Sequence, residues 1–345
     1  MLISVQALRA FAAWVVVFHH FVQVFFDFDA NNAFEHLLAT RGQMGVDIFF
    51  IISGFVIYAA TARRAPSSGE FLLQRAARIV PAYWLYTAIT AGIIYLSQDV
   101  MPDYELDLKS LVMSLFFLPT ENPAGYGYYP TLPVGWTLNF EMLFYLVFAG
   151  SLLVNRHLRL WLLALALIAI SAWLAERPLL SDFYHDPIIY NFLLGLGVGI
   201  IYRRGWLPQG RWLPAGIAVG AFALLMQFDD PQGMTRFLAW GLPSAVLLCA
   251  FISMEPLFAG NRVIKALGDW SYSTYLLHVI VLWTAQYTLR EHVGLPPYAT
   301  LAICLPLIAV LSWASFEFIE KRLSRRLRQW MPKRRSSPAT SVYSV

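Results

Sequence analysis

Residues 2–21 read LISVQALRAFAAWVVVFHHF, and the fold is decided by this stretch. A helix needs about 20 mostly apolar residues to cross the hydrocarbon core of a bilayer, and this run supplies them. It also carries Arg9, His19 and His20, which lipid tolerates only when protein surrounds them. The apolar part is longer than the roughly 7–15 residues of a signal peptide, and no small-residue cleavage site follows. The stretch is therefore expected to be a retained first membrane span.

The rest of the chain repeats the pattern. Of its 345 residues, 58% are hydrophobic and 13% charged. Soluble domains average about 45–50% apolar and about 25% charged, so a soluble fold of this size is excluded. Ten helices are expected near 3–26, 43–62, 78–97, 134–154, 159–175, 187–202, 212–228, 237–254, 269–289 and 295–317. The class is thus all-α integral membrane, a polytopic bundle of about ten transmembrane helices. Segment 108–119 is apolar but too short to span, and is expected to be interfacial or re-entrant. No Gly/Ser linker and no repeat divides residues 1–320. They are read as one membrane domain, followed by a basic, Ser-rich tail at 321–345.

The basic residues give the orientation. With the N-terminus cytoplasmic, inner connections and tail receive 19 of the 25 Lys and Arg residues, including Arg63, Arg64, Arg75, Arg78, Arg203, Arg204, Arg262 and Lys265. The outer side receives Arg41, Lys109, Arg177, Arg236 and Arg290. Both termini are therefore expected in the cytoplasm, with the tail against anionic membrane lipids. The isoelectric point near 9.0 follows from this topology and does not call for nucleic acid. Cys249 and Cys304 stand alone in apolar runs, without metal-ligand spacing or a disulfide framework. No metal is expected.

Polar groups inside spans carry the functional signal. Arg9 and His20 are eleven residues apart, close to three helical turns, so they share a face about 16 Å apart along the axis. His19 points roughly 100° away. Asp47, in GVDIFFIISGF, and Glu141, in VGWTLNFEMLFY, are expected near the depth of His20. A carboxylate beside an imidazole is the arrangement general-base catalysis uses; a structural ion pair is the alternative. His278, in WSYSTYLLHVI, is a further candidate. Arg75 and Arg78 share a helical face and offer a fork for phosphates, although any inner loop is Arg-rich. Ser53, Gly54 and the run GLGVG at 195–199 are read as close-packing surfaces, since no strand precedes the glycines.

In order and wording these motifs resemble the acyltransferase 3 family of integral membrane acyltransferases, in particular its exopolysaccharide-acetylating branch. The resemblance lies in VQALRAFAAWVVVFHH, GVDIFFIISGFVIY, RAARIVPAYW, FLPTENPAGYGYYPTLPVGWTLNFEMLFY and LGDWSYSTYLLH. Residues 155–260 match only as generic helices. The resemblance implies acetyl-CoA as donor and a glycan hydroxyl as acceptor, free or lipid-linked. It maps the family's essential Arg and His onto Arg9 and His20, its Arg-x-x-Arg element onto Arg75 and Arg78, and its Gly-Trp-Thr-Leu-x-x-Glu element onto Trp136 and Glu141. Where the family often has Glu-x-Pro, Glu320 is followed by Lys321 and Arg322, and no role is assigned to it.

The expected protein is a multi-pass O-acetyltransferase of a bacterial inner membrane, working alone or with polysaccharide export or assembly proteins. Arg9, Arg75 and Arg78 would hold acetyl-CoA. His20, with Asp47 or Glu141, would activate the acceptor, and Trp136, Asn139 and His278 would contact it. Direct transfer and an acetyl-enzyme are both compatible with the sequence. The rival from another class is a transporter or flippase of lipid-linked glycan. It is separated by acetyl-CoA hydrolysis and disfavoured by the lack of an inverted repeat.

Overall fold

The computed structural model describes residues 2–62, 66–125, 127–174 and 181–323. Arg63, Arg64, Arg177 and nearly all of the basic tail lie outside the described residues. Helices run in the order α1 Ile3–Phe26, α2 Ala33–Arg41, α3 Met44–Thr61, α4 Ser68–Leu96, α5 Leu108–Leu115, α6 Trp136–Ser151 and α7 Arg156–Ala169. They continue with α8 Asn191–Arg204, α9 Trp212–Leu225, α10 Gly233–Arg236, α11 Leu242–Ser253, α12 Glu255–Phe258, α13 Arg262–Ala285 and α14 Pro297–Ser315. No strand occurs among the described residues. One π-helical segment joins α10 to α11, and others extend α13 to His292 and α14 to Glu320.

A helix occupies each of the ten expected positions. Five are long and apolar enough to cross a membrane: Ile3–Phe26, Ala33–Thr61, Ser68–Leu96, Gly233–Ser253 and Pro297–Leu323. His157–Trp173 and Trp212–Leu225 are shorter apolar helices. The chain is a membrane-bound helical protein. Two sequence expectations change. The helix expected near 78–97, with Arg75 on its leading face, begins earlier: α4 starts at Ser68. Ser67 caps it through the Glu70 amide, and its first turns carry Arg75 within the helix. An unexpected short helix, α2, follows α1, with Asn32 capping the amides of Phe34 and Glu35.

The core is centred on α1, which packs along α13 and against α3. Its first turn is capped from a distance: the Glu255 carboxylate accepts from the Ile3 and Ser4 amides at 2.8 and 2.7 Å. This satisfies donors that a helix N-terminus leaves orphaned. Glycine permits the closest approaches. A Cβ on Gly268 would stand 2.4 Å from the Gln6 carbonyl oxygen, and one on Gly195 would stand 2.0 Å from that of Ile51. Gly54 and Gly195 bring α3 and α8 into backbone contact, so this part of the glycine-rich run is a packing face. Gly268 beside Gln6 and His278 beside His20 show that α1 and α13 run in the same direction.

Candidate functional site

Two cavities lie at different depths along α1. The first holds Arg9 of α1, Arg75 and Arg78 of α4, Ser53 of α3, and Glu141 and Tyr145 of α6, with apolar walls from α3. Three guanidinium groups and one carboxylate line the same cavity. Arg9 is 8% exposed, and its Nη1 donates to Gln6 Oε1 at 3.4 Å. Glu141 accepts from Ser53 Oγ at 2.9 Å and from the Tyr145 hydroxyl. The Arg75 guanidinium lies 5.4 Å from the centre of the Phe71 ring and 5.9 Å from that of Tyr145.

A further carboxylate belongs to a residue to which no role was assigned. Glu320, at the end of the π-helical turn after α14, is buried and accepts from Ser273 Oγ. The sequence signal was the glutamate itself, set aside because Lys and Arg follow it.

The second cavity is an open recess toward the C-terminal end of α1. Its wall includes His19, His20, Gln23, Tyr129, Trp136 and Trp283. Asp27 and Asp103 also line it, and neither Lys nor Arg does among the described residues. The two adjacent histidines face different neighbours, as a 100° rotation requires. His19 is buried against α2, with Nδ1 3.0 Å from the Leu38 carbonyl oxygen. His20 turns to α13: its Nδ1 lies 2.9 Å from the Val16 carbonyl oxygen and 3.1 Å from Nε2 of His278. Val46 and Tyr275 line both cavities, so these two side chains form the partition between them. Tyr275 is pinned there: its hydroxyl donates to the Val134 carbonyl oxygen at 3.0 Å and lies 3.0 Å from Thr137 Oγ1.

The expected pairing of His20 with a carboxylate is not what the structure holds. Among the described residues neither His19 nor His20 forms an ion pair. Glu141 sits in the arginine cavity instead. It lies five residues after Trp136, which turns it roughly 140° away on the helix, so Trp136 faces the recess and Glu141 does not. Asp47 is consumed elsewhere. Its Oδ2 accepts from Arg236 Nη2 at 3.0 Å and Nε at 3.1 Å, while Oδ1 accepts from Asn191 Nδ2 at 2.7 Å. This is a structural ion pair, made with Arg236 and not with a histidine. Asn139 lines neither cavity; it is buried, with both side-chain polar atoms unpartnered among the described residues. His278 is fully buried and reaches the recess only through His20.

The sequence model of the acyltransferase 3 family, described as an acyltransferase domain, matches residues 2–315. The chain belongs to this family. It is an acyltransferase, therefore, and a membrane-bound one. The chain is 35% identical over 307 residues to the exopolysaccharide production protein ExoZ of Rhizobium meliloti, covering 83% of this chain and 91% of the relative. It is 29% identical to the acyltransferase MdmB of Streptomyces mycarofaciens, covering 81% and 78%. The similarity to the O-acetyltransferase OatA of Staphylococcus aureus is 23%, over 99% of this chain and 61% of the relative. No solved structure matches.

Proposed function

We propose that this acyltransferase moves acetyl from cytoplasmic acetyl-CoA to a hydroxyl of an exported or cell-envelope polysaccharide, or of its lipid-linked precursor. The observation that carries the reading is the pair of cavities, one holding three arginines and the other two histidines, that meet at Val46 and Tyr275. Arg9, Arg75 and Arg78 suit the phosphates and thioester arm of the donor, because guanidinium groups bind phosphate through charge-assisted, often bidentate bonds. The recess suits a sugar, with its aromatic side chains and hydrogen-bonding polar groups. The likeness to an exopolysaccharide production protein supports the acceptor class.

On this reading the chain spans a bacterial inner membrane about ten times with both termini in the cytoplasm. The arginine cavity then opens inward and the histidine recess outward. His20 is the general base. Its imidazole takes the proton of the sugar hydroxyl as the oxygen bonds to the thioester carbonyl carbon. The carbon–sulfur bond breaks, and the CoA thiolate recovers the proton to leave as the thiol. Glu141 balances the arginines on the donor side, and Asp47 serves the fold.

The test is acetyl-CoA turnover by the purified protein in detergent, with and without de-O-acetylated envelope polysaccharide from the producing cells. Polysaccharide-dependent release of CoA with acetyl retained on the glycan is expected. Transport of a lipid-linked glycan without any turnover of acetyl-CoA would contradict the reading.

A further inference from the structure

His20 and His278 meet between two helices, and their other contacts fix which nitrogens carry protons. A carbonyl oxygen can only accept a hydrogen bond. Nδ1 of His278 lies 3.1 Å from the Thr274 carbonyl oxygen, so this nitrogen is the donor and Nε2 of His278 holds a lone pair. Nδ1 of His20 lies 2.9 Å from the Val16 carbonyl oxygen, so it too bears its proton. The same proton faces Nε2 of His278 at 3.1 Å. One N–H is thus shared between a carbonyl oxygen and an imidazole. The lone pair of His20 is left on Nε2, which has no protein partner among the described residues.

We propose that His278 is a positioning residue for His20, filling the place a carboxylate takes in other imidazole bases. Its Nε2 accepts the His20 Nδ1–H, holds the ring in one tautomer and one orientation, and leaves Nε2 of His20 to meet the acceptor hydroxyl. When His20 takes the proton, the positive charge is spread through Nδ1–H onto two acceptors. Because this acceptor is neutral, the base carries no fixed anionic partner. Position supports the role. His278 is 0% exposed, does not line the recess, and lies one helical turn beyond Tyr275, which closes the arginine cavity. Contact with the sugar, the role expected for His278 from sequence, is replaced by contact with the base. The inference rests on His20 acting as the general base.

The test compares His278→Gln with His278→Met. Glutamine places an amide oxygen near the position of Nε2; methionine has similar length but no comparable acceptor. Acetyl transfer from acetyl-CoA to de-O-acetylated envelope polysaccharide is followed for kcat and for both KM values, at matched folded protein. The methionine variant is expected to lose about 100-fold in kcat with both KM values within about twofold of wild type. The glutamine variant is expected to recover at least about tenfold of that loss. Wild-type kcat in the methionine variant would overturn the proposal. So would a loss confined to the polysaccharide KM, which marks a sugar contact, or equal losses in the two variants, which mark packing alone. Absence of transfer by the wild-type protein would instead remove the reading of the site beneath it.

Discussion

Asp47 and Arg236 form a buried ion pair closed on every side. Arg236 Nη2 stands 3.0 Å from Asp47 Oδ2, and the two side chains are 6% and 0% exposed. Arg236 Nη1 also donates to Gln43 Oε1 at 3.1 Å, and Asn191 completes the carboxylate. Removing one member of such a pair leaves the other charge buried, which costs about 3–5 kcal/mol. Asp47→Ala and Arg236→Ala should therefore lower thermal stability in detergent to a similar degree. Activity per folded molecule should fall far less than abundance. A stable but inactive Asp47→Ala protein would return Asp47 to the catalytic group.

The arginine cavity predicts a donor-side phenotype. Arg75→Ala and Arg78→Ala should each weaken acetyl-CoA binding about tenfold or more, since a hydrogen bond to a charged group contributes about 1.5–3 kcal/mol. Glu141→Gln should act on the same side, raising the KM for acetyl-CoA and leaving the KM for polysaccharide unchanged. Titration of the detergent-solubilised variants with acetyl-CoA checks both statements. Unchanged binding would leave the arginines as orientation signals only.

The helix interface between α3 and α8 separates two glycines that the sequence treats alike. Gly195→Ala would drive a methyl group against the Ile51 carbonyl oxygen, whereas a Cβ on Gly197 meets nothing within 4 Å. Overpacking of this kind costs about 1–3 kcal/mol. Gly195→Ala should therefore melt at a lower temperature than wild type, while Gly197→Ala should match it, in the same thermal assay.

The orientation is tested by reporter fusions. Fusions at Pro102 and at the C-terminus should report opposite sides of the membrane if ten spans carry the chain back to the cytoplasm. Both on one side would contradict the topology.

Much of this architecture is legible in the sequence because lipid imposes few solutions. Apolar runs mark the helices, and the shared face of Arg9 and His20 follows from helical period alone. The different neighbours of His19 and His20 also follow, since adjacent residues on a helix are turned about 100° apart. What sequence does not reveal is who meets whom across the bundle. Asp47 finds its partner 189 positions away in Arg236, inside a segment that reads as an ordinary outer connection. Glu141 was placed by depth counted from its helix end, but rotation, not depth, decides which cavity a side chain enters. The first turn of α4, from Ser68, extends beyond the expected bounds because its polar residues interrupt the apolar run.

The central claim is that His20, and not its neighbour, acts on the acceptor hydroxyl. The most direct measurement is O-acetyl content of envelope polysaccharide in cells producing His20→Ala or His19→Ala at matched membrane abundance. General-base removal typically costs about 10²–10⁴-fold, so His20→Ala should leave acetylation at background. His19 bonds the Leu38 carbonyl oxygen and packs on Gly42, so His19→Ala should lower stability while the protein that remains folded still acetylates. Equal losses in the two variants at equal folded amount, or a larger loss at His19, would contradict the account.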